Sequence, residues 1–168
     1  MRTKFSLKQT AYMGVDPGKS GCVALLLPED KIKTYDWPKS NNYVEVHRQM
    51  RIWNNMFDIK FAVLERVGAM PGQGVTSCFT FGDNFGAWKM LLAGLSIKHI
   101  ILTPQKWQVG LLHKSDGPEP KARVKNVVSR MFGYDFCHGP RGGYKDGRGD
   151  AALMAYKAKL LFGENKNG

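Results

Sequence analysis

Acidic residues are scarce in this chain. Only 14 Asp and Glu stand against 25 Lys and Arg, a formal charge of 25 − 14 = +11. Such an excess says nothing about fold, but it points to a polyanionic partner, because neutralising phosphates and releasing their counterions drives association. Cysteine is scarcer still. Cys22, Cys78 and Cys137 are odd in number, far apart and outside any CxxC pair, which fits neither a disulfide framework nor a zinc site and is expected of reduced thiols in a cytoplasmic protein. The four histidines share no ligand spacing. No apolar run approaches the roughly twenty residues of a membrane span. Arg2, Lys4 and Lys8 are followed only by a strand-length apolar stretch, so no signal peptide is expected. Internal repeats and low-complexity tracts are also missing. The length of 168 residues suits one domain with a substantial core, spanning 1–168 with flexible ends at 1–10 and 164–168.

What the chain does have is a regular succession of apolar segments. Ala11 to Asp16 reads as a buried strand stopped by Pro17-Gly18. Gly21 to Leu27 is a second strand, and Lys31 to Tyr35 alternates as an exposed third would; together they predict an antiparallel meander. Tyr43, Val46, Met50, Trp53 and Phe57 recur at helical spacing, predicting a helix over 42–57. Phe61 to Glu65 lacks alternation, the mark of a central strand covered on both faces. A Gly-rich loop from Gly68 to Gly74 leads to a second helix over 77–93. His99 to Leu102 is the fifth strand, and Pro104 opens a short helix carrying Trp107 and Leu111. A basic amphipathic helix over 121–132 and a final helix over 147–162 complete the order β-β-β-α-β-α-β-α-α-α. This α/β pattern of a mixed five-stranded sheet with helices on both faces resembles the ribonuclease H-like architecture.

Against this basic background the placement of four acids stands out. Asp16 closes the first strand and Glu65 the fourth, while Asp146 and Asp150 stand four apart in the first turn of the last helix, where such a spacing shares one face. Singly, each has an ordinary role. Asp before Pro-Gly is a common turn residue, and Asp146 and Asp150 suit a helix N-terminus. Glu65 is costlier, since a carboxylate after Phe-Ala-Val-Leu in a buried strand needs a partner. As a set they have the chemistry of a divalent-metal site facing phosphate: hard cations such as Mg²⁺ take oxygen ligands, and two-metal phosphodiester cleavage needs several converging carboxylates.

The same residues carry a family resemblance. Gly14-Val-Asp-Pro-Gly18, Val63-Leu-Glu-Arg-Val67, Thr103-Pro-Gln-Lys-Trp-Gln108, Pro120-Lys-Ala-Arg-Val124 and the segment from Lys145 to Ala158, with its DGRGDAALMAYKA run, resemble in order the motifs of the RuvC-like Holliday-junction resolvases, particularly the phage-type branch. The resemblance spans about Tyr12 to Leu160. It implies Asp16, Glu65, Asp146 and Asp150 as catalytic ligands of two Mg²⁺ ions (with Mn²⁺ able to substitute), a homodimer, and paired symmetric nicks in four-way DNA junctions leaving 5′-phosphates. It also implies a cytoplasmic setting in a bacterial cell or a phage-infected host. In one respect the chain departs from the bacterial branch, where the last two acids lie three apart; here position 147 is Gly and the partner of Asp150 is Asp146.

Residues 98–148 hold ten Lys and Arg against four acids. Lys106, Lys114, Lys121, Arg123, Lys125, Arg141, Lys145 and Arg148 are the candidates for DNA-backbone contacts, which position a duplex without reading its sequence. Lys145 is also a candidate for stabilising phosphate charge. Met70 and Gln73 sit in the Gly-rich loop, which is either a connection or a wedge entering the junction centre. Phe79, Phe81, Phe85 and Trp88 read as core or dimer interface. Two rivals are weaker. A P-loop needs four residues between its glycines, and Gly14 and Gly18 have three between them, so no nucleotide cofactor is expected. The sugar-kinase and actin type of fold needs a second domain for which there is no room. A broader flap or fork endonuclease and a non-catalytic junction-binding protein remain as functional alternatives.

Overall fold

The computed structural model describes residues 7–18, 20–40, 42–68, 72, 74–133 and 135–164. Five strands, β1 (Gln9–Asp16), β2 (Cys22–Leu26), β3 (Ile32–Asp36), β4 (Phe57–Glu65) and β5 (His99–Leu102), form one sheet in the order β3-β2-β1-β4-β5. The helices are α1 (Tyr43–Met56), α2 (Val75–Gly94), α3 (Pro104–Gln108), α4 (Pro120–Phe132) and α5 (Asp146–Glu164). β1, β2 and β3 pair antiparallel as the expected meander, whereas β1–β4 and β4–β5 are parallel. The sheet is therefore mixed, in the expected element order.

Strand periodicity divides the core in two. Ala11, Met13 and Val15 of β1, with Ala62 and Leu64 of β4, pack against Val46, Met50 and Trp53 of α1 and Trp88 and Leu92 of α2. On the opposite face Tyr12, Phe61 and Val63 meet Trp107, Leu111, Val127 and Val128 together with Leu153, Met154 and Ala158 of α5. Helices thus cover both faces, and Asp16 and Glu65, in phase with Tyr12 and Val63, belong to the α5 side.

Local chemistry sets the boundaries. Asn42 caps α1, its side chain accepting from the Glu45 amide at 3.2 Å; Pro residues open α3 and α4. Phe57, expected as the end of α1, is the first residue of β4. The helix passes straight into a strand that begins four residues before the expected Phe61. Gln9 and Thr10, expected in a flexible end, pair with Phe57 and Asp58 as the first rungs of the β1–β4 ladder, and Glu164 still belongs to α5; the outermost ends, 1–6 and 165–168, lie outside the described residues. Among the described residues no helix is long and apolar enough to cross a membrane. Cys22, Cys78 and Cys137 form no disulfide.

Gly14 fixes how closely α5 sits on the sheet. A Cβ there would overlap the Ala151 carbonyl oxygen and the Ala155 amide, and would come 2.8 Å from the Met154 carbonyl carbon. Helix backbone therefore lies directly on strand backbone, a contact only glycine permits.

Candidate active site

The parallel neighbours β1 and β4 end together. Their ladder runs to Val15 opposite Leu64, so Asp16 and Glu65 leave the sheet side by side, on the face that α5 covers. The closeness of α5 at Gly14 brings the first turn of that helix over the same edge. There the Asp16 carboxylate fits against Gly147, where a Cβ would lie 2.8 Å from Asp16 Oδ2 and 2.9 Å from the Ser20 carbonyl oxygen. Any larger residue at 147 would push into the carboxylate, which gives a physical reason for glycine there.

Three of the acids have one oxygen already engaged. The Gly18 amide donates to Asp16 Oδ1 at 2.9 Å, closing the Asp-Pro-Gly turn. Trp107 Nε1 donates to Glu65 Oε1 at 2.8 Å, and Lys121 Nζ donates to Asp146 Oδ2 at 2.7 Å. Asp16 and Asp150 are the most deeply set of the four, and Asp150 is the most perturbed. Burial, and then the charges of Asp16, Glu65 and Asp146, push its pKa up to about 8, with Lys121 opposing. Burial also raises Glu65 against the Trp107 hydrogen bond, with Asp16 adding to the rise. Asp16 is raised by burial against the Gly18 amide. The other three acids therefore lie within electrostatic reach of Asp150, and burial has stripped Asp16, Glu65 and Asp150 of water, while Asp146 stays exposed beside Lys121. A group of carboxylates in that condition is chemically suited to a hard divalent cation. Among the described residues no three His, Cys, Asp or Glu side chains are already drawn in around one ion position.

The basic residues sort less simply. Lys106, Lys114 and Arg141 are exposed. Lys121 is on the acid cluster itself. Arg123 donates to the carbonyls of Gly117 (2.7 Å) and Pro118 (2.9 Å), tying down the loop before α4. Lys125 lies over the Tyr144 ring, 5.3 Å from its centroid. Lys145 and Arg148 converge on Asp36 at the end of β3. Lys145 Nζ is 2.7 Å from Asp36 Oδ2, and Arg148 binds both carboxylate oxygens at 2.7 and 3.0 Å while also donating to the carbonyls of Phe136 and His138. Arg148 thus clamps β3, the loop before α5 and α5 itself, a different task from the backbone contact expected of it. Met70 and Gln73 lie outside the described residues.

Sequence reasoning missed Asp36, Trp107 and Gly147. Trp107 carried a usable signal, since an indole placed in a core needs a partner for its N–H. Asp36 carried none, because its partners are 109 and 112 residues away.

No family model matches this chain, and no curated protein matches it in sequence. Solved structures do. RuvC of Thermus thermophilus in complex with a Holliday junction substrate superposes with a TM-score of 0.62 at 13% identity, over 94% of this chain and 96% of that one. The same organism's RuvC alone gives a TM-score of 0.57 at 13% identity and the same coverage. The yeast mitochondrial Holliday junction resolvase Ydc2 gives 0.50 at 13% identity, over 97% of this chain and 83% of that one. The fold is therefore the RuvC-like form of the ribonuclease H-like architecture.

Proposed function

We propose that this protein is a divalent-metal-dependent, structure-selective DNA endonuclease that resolves four-way junctions by paired symmetric nicks. The observation that carries the reading is the clustering of Asp16, Glu65, Asp146 and Asp150 at one sheet edge, the first two and the last largely buried and Asp146 at the rim beside Lys121, in a protein of charge +11. The fold shared with junction resolvases adds support. The four acids are the ligands, for two Mg²⁺ ions with Mn²⁺ as substitute. When bound, such ions polarise the phosphodiester and make water nucleophilic near neutral pH.

The protein's own residues do the rest. Gly18 and Trp107 hold the Asp16 and Glu65 carboxylates by one oxygen each and leave the other available. Lys121, whose ammonium is exposed at the rim, lies where it can exchange Asp146 for an incoming phosphate. Lys106, Lys114 and Arg141 line up the duplex arms through backbone phosphates. The products carry 5′-phosphates.

Two symmetric nicks need two sites related by a twofold axis, as an isologous dimer provides. Helix α2 supports such a dimer. Val75, Phe79 and Met90 are more than two-thirds exposed, and Gly82 and Gly86 between them have open space beside their backbone. Spaced three or four apart, these five share one face.

The test is cleavage of a labelled synthetic four-way junction with Mg²⁺, beside duplex, fork and flap controls, for the wild type and Glu65→Gln. Paired nicks confined to the junction, ligatable without added phosphate and lost in a variant that still binds, are expected. Cutting of every branched substrate would replace junction resolution by a broader branched-DNA activity. Tight binding without cleavage in any metal would leave a junction-binding protein.

A further inference from the structure

Trp107 is 1% exposed, packed with Leu111, Val124, Val127 and Val128. Leucine would fill such a position without bringing a polar atom. An indole brings an N–H that must be paired, and Trp107 spends it on Glu65 Oε1 at 2.8 Å. The surrounding backbone makes that aim rigid. β5 runs parallel to β4 with Leu102 opposite Glu65, and the Arg66 amide donates to the Leu102 carbonyl at 2.7 Å. One residue later the Thr103 carbonyl accepts from the amides of Lys106 and Trp107 at 2.9 and 3.1 Å, starting α3. The indole thus reaches Glu65 from α3, the short helix that directly follows the neighbouring strand, through a few hydrogen-bonded residues. An indole N–H neither ionises nor accepts in this range of pH, so it holds the carboxylate alike with or without charge nearby.

We propose that Trp107 is a positioning residue: its indole N–H pins Glu65 Oε1 and so fixes the orientation in which Glu65 offers its other oxygen to a divalent cation. The inference rests on reading the acid cluster as a metal site. Outer partners of metal ligands act in this way, and their loss costs about 10- to 100-fold in metal affinity or activity.

The test uses the full chain with ¹⁵N-labelled indoles, of which there are four, and Mg²⁺ alone as the probe. The Trp107 resonance is identified by its absence in Trp107→Phe, which keeps an aromatic ring but removes the donor. Saturating Mg²⁺ is expected to move this resonance more than those of Trp37, Trp53 and Trp88. In Trp107→Phe, Mg²⁺ binding, followed by backbone amides of α5, is expected to weaken about tenfold or more. Junction cleavage should show a lower kcat with KM for DNA unchanged. Unaltered Mg²⁺ affinity and kcat in a folded Trp107→Phe overturn the positioning role and leave the metal site standing. Should that variant not fold, Mg²⁺ binding to the wild type that shifts the α5 amides but leaves every indole unmoved overturns it equally. Absence of any Mg²⁺ binding to the wild type overturns the metal-site reading, and the role of Trp107 with it.

Discussion

Removing the charge of Asp150 should stabilise the metal-free protein, and by an amount that depends on pH. Burial, and then the charges of Asp16, Glu65 and Asp146, lift the Asp150 pKa from 3.8 to about 8, with Lys121 opposing. An acid whose native pKa exceeds its unfolded value binds more protons when folded. Stability therefore falls as pH climbs between the two values, and the whole penalty is present above the upper one. Here the window runs from about pH 4 to about pH 8. A shift of about four pK units at ~1.4 kcal/mol each sets a ceiling of ~6 kcal/mol. The high effective dielectric of a site at the sheet edge reduces this to roughly 2–3 kcal/mol. In a domain of this size each kcal/mol moves Tm by about 2–4 °C, so the expected difference is about 4–12 °C. The assay is thermal unfolding followed by circular dichroism in EDTA from pH 5 to pH 9, comparing the wild type with Asp150→Asn. The variant's advantage should be small at pH 5, grow through neutrality and level off above pH 8. Mg²⁺ should then stabilise the wild type more than the variant at pH 8, because the cation replaces the missing proton. A Tm difference that stays flat across the range refutes the argument, since it would mean that Asp150 is not held protonated by its burial and its acidic neighbours.

Three further outcomes follow from contacts elsewhere. Gly147→Ala would place a methyl group 2.8 Å from Asp16 Oδ2; a loss of junction cleavage of about tenfold or more is expected in a protein that still folds, of the size that small misplacements at a reacting centre produce. Asp36→Asn should lower stability by about 1–3 kcal/mol in denaturant titrations, because it leaves Arg148 and Lys145 with a weaker partner. Asp36 titrates below the usual range, through its bonds to Arg148 and Lys145 working against burial, so this contribution is present above the ordinary Asp pKa and is lost on acidification; the variant should be correspondingly less sensitive to acid. Lys106→Ala and Lys114→Ala should each reduce the log–log salt dependence of junction affinity by about 0.9, the share of one phosphate contact; an unchanged slope would remove that lysine from the DNA surface.

The strands that carry the site were legible because buried strands are short apolar runs with clear stops. Asp16 before Pro17-Gly18 and Glu65 after Phe-Ala-Val-Leu could be placed at strand ends from that pattern alone. The start of β4 was not legible. Phe57 continues the helical spacing of Tyr43, Val46, Met50 and Trp53, and only its pairing with Gln9 makes it a strand residue. Nor were the ion pairs of Arg148 and Lys145, for a charged residue looks the same in sequence whether its partner is solvent, phosphate or an aspartate on a distant strand. The hydrogen bond from Trp107 escaped for a related reason. Periodicity registers an indole as apolar bulk and says nothing of where its one donor points.

The seating of α5 on Gly14 has a consequence for how the protein comes into being. The first acid lies on β1 and the last two on α5, so everything from β1 to α5 must be synthesised before the four can meet. A nascent chain with its sheet assembled but α5 still unmade would have Asp16 and Glu65 without their partners, and no cluster fit to hold a cation. Contacts between such distant segments form late in folding. The acid cluster therefore comes together only as α5 settles on the sheet, and assembling the fold and assembling the cluster are one event.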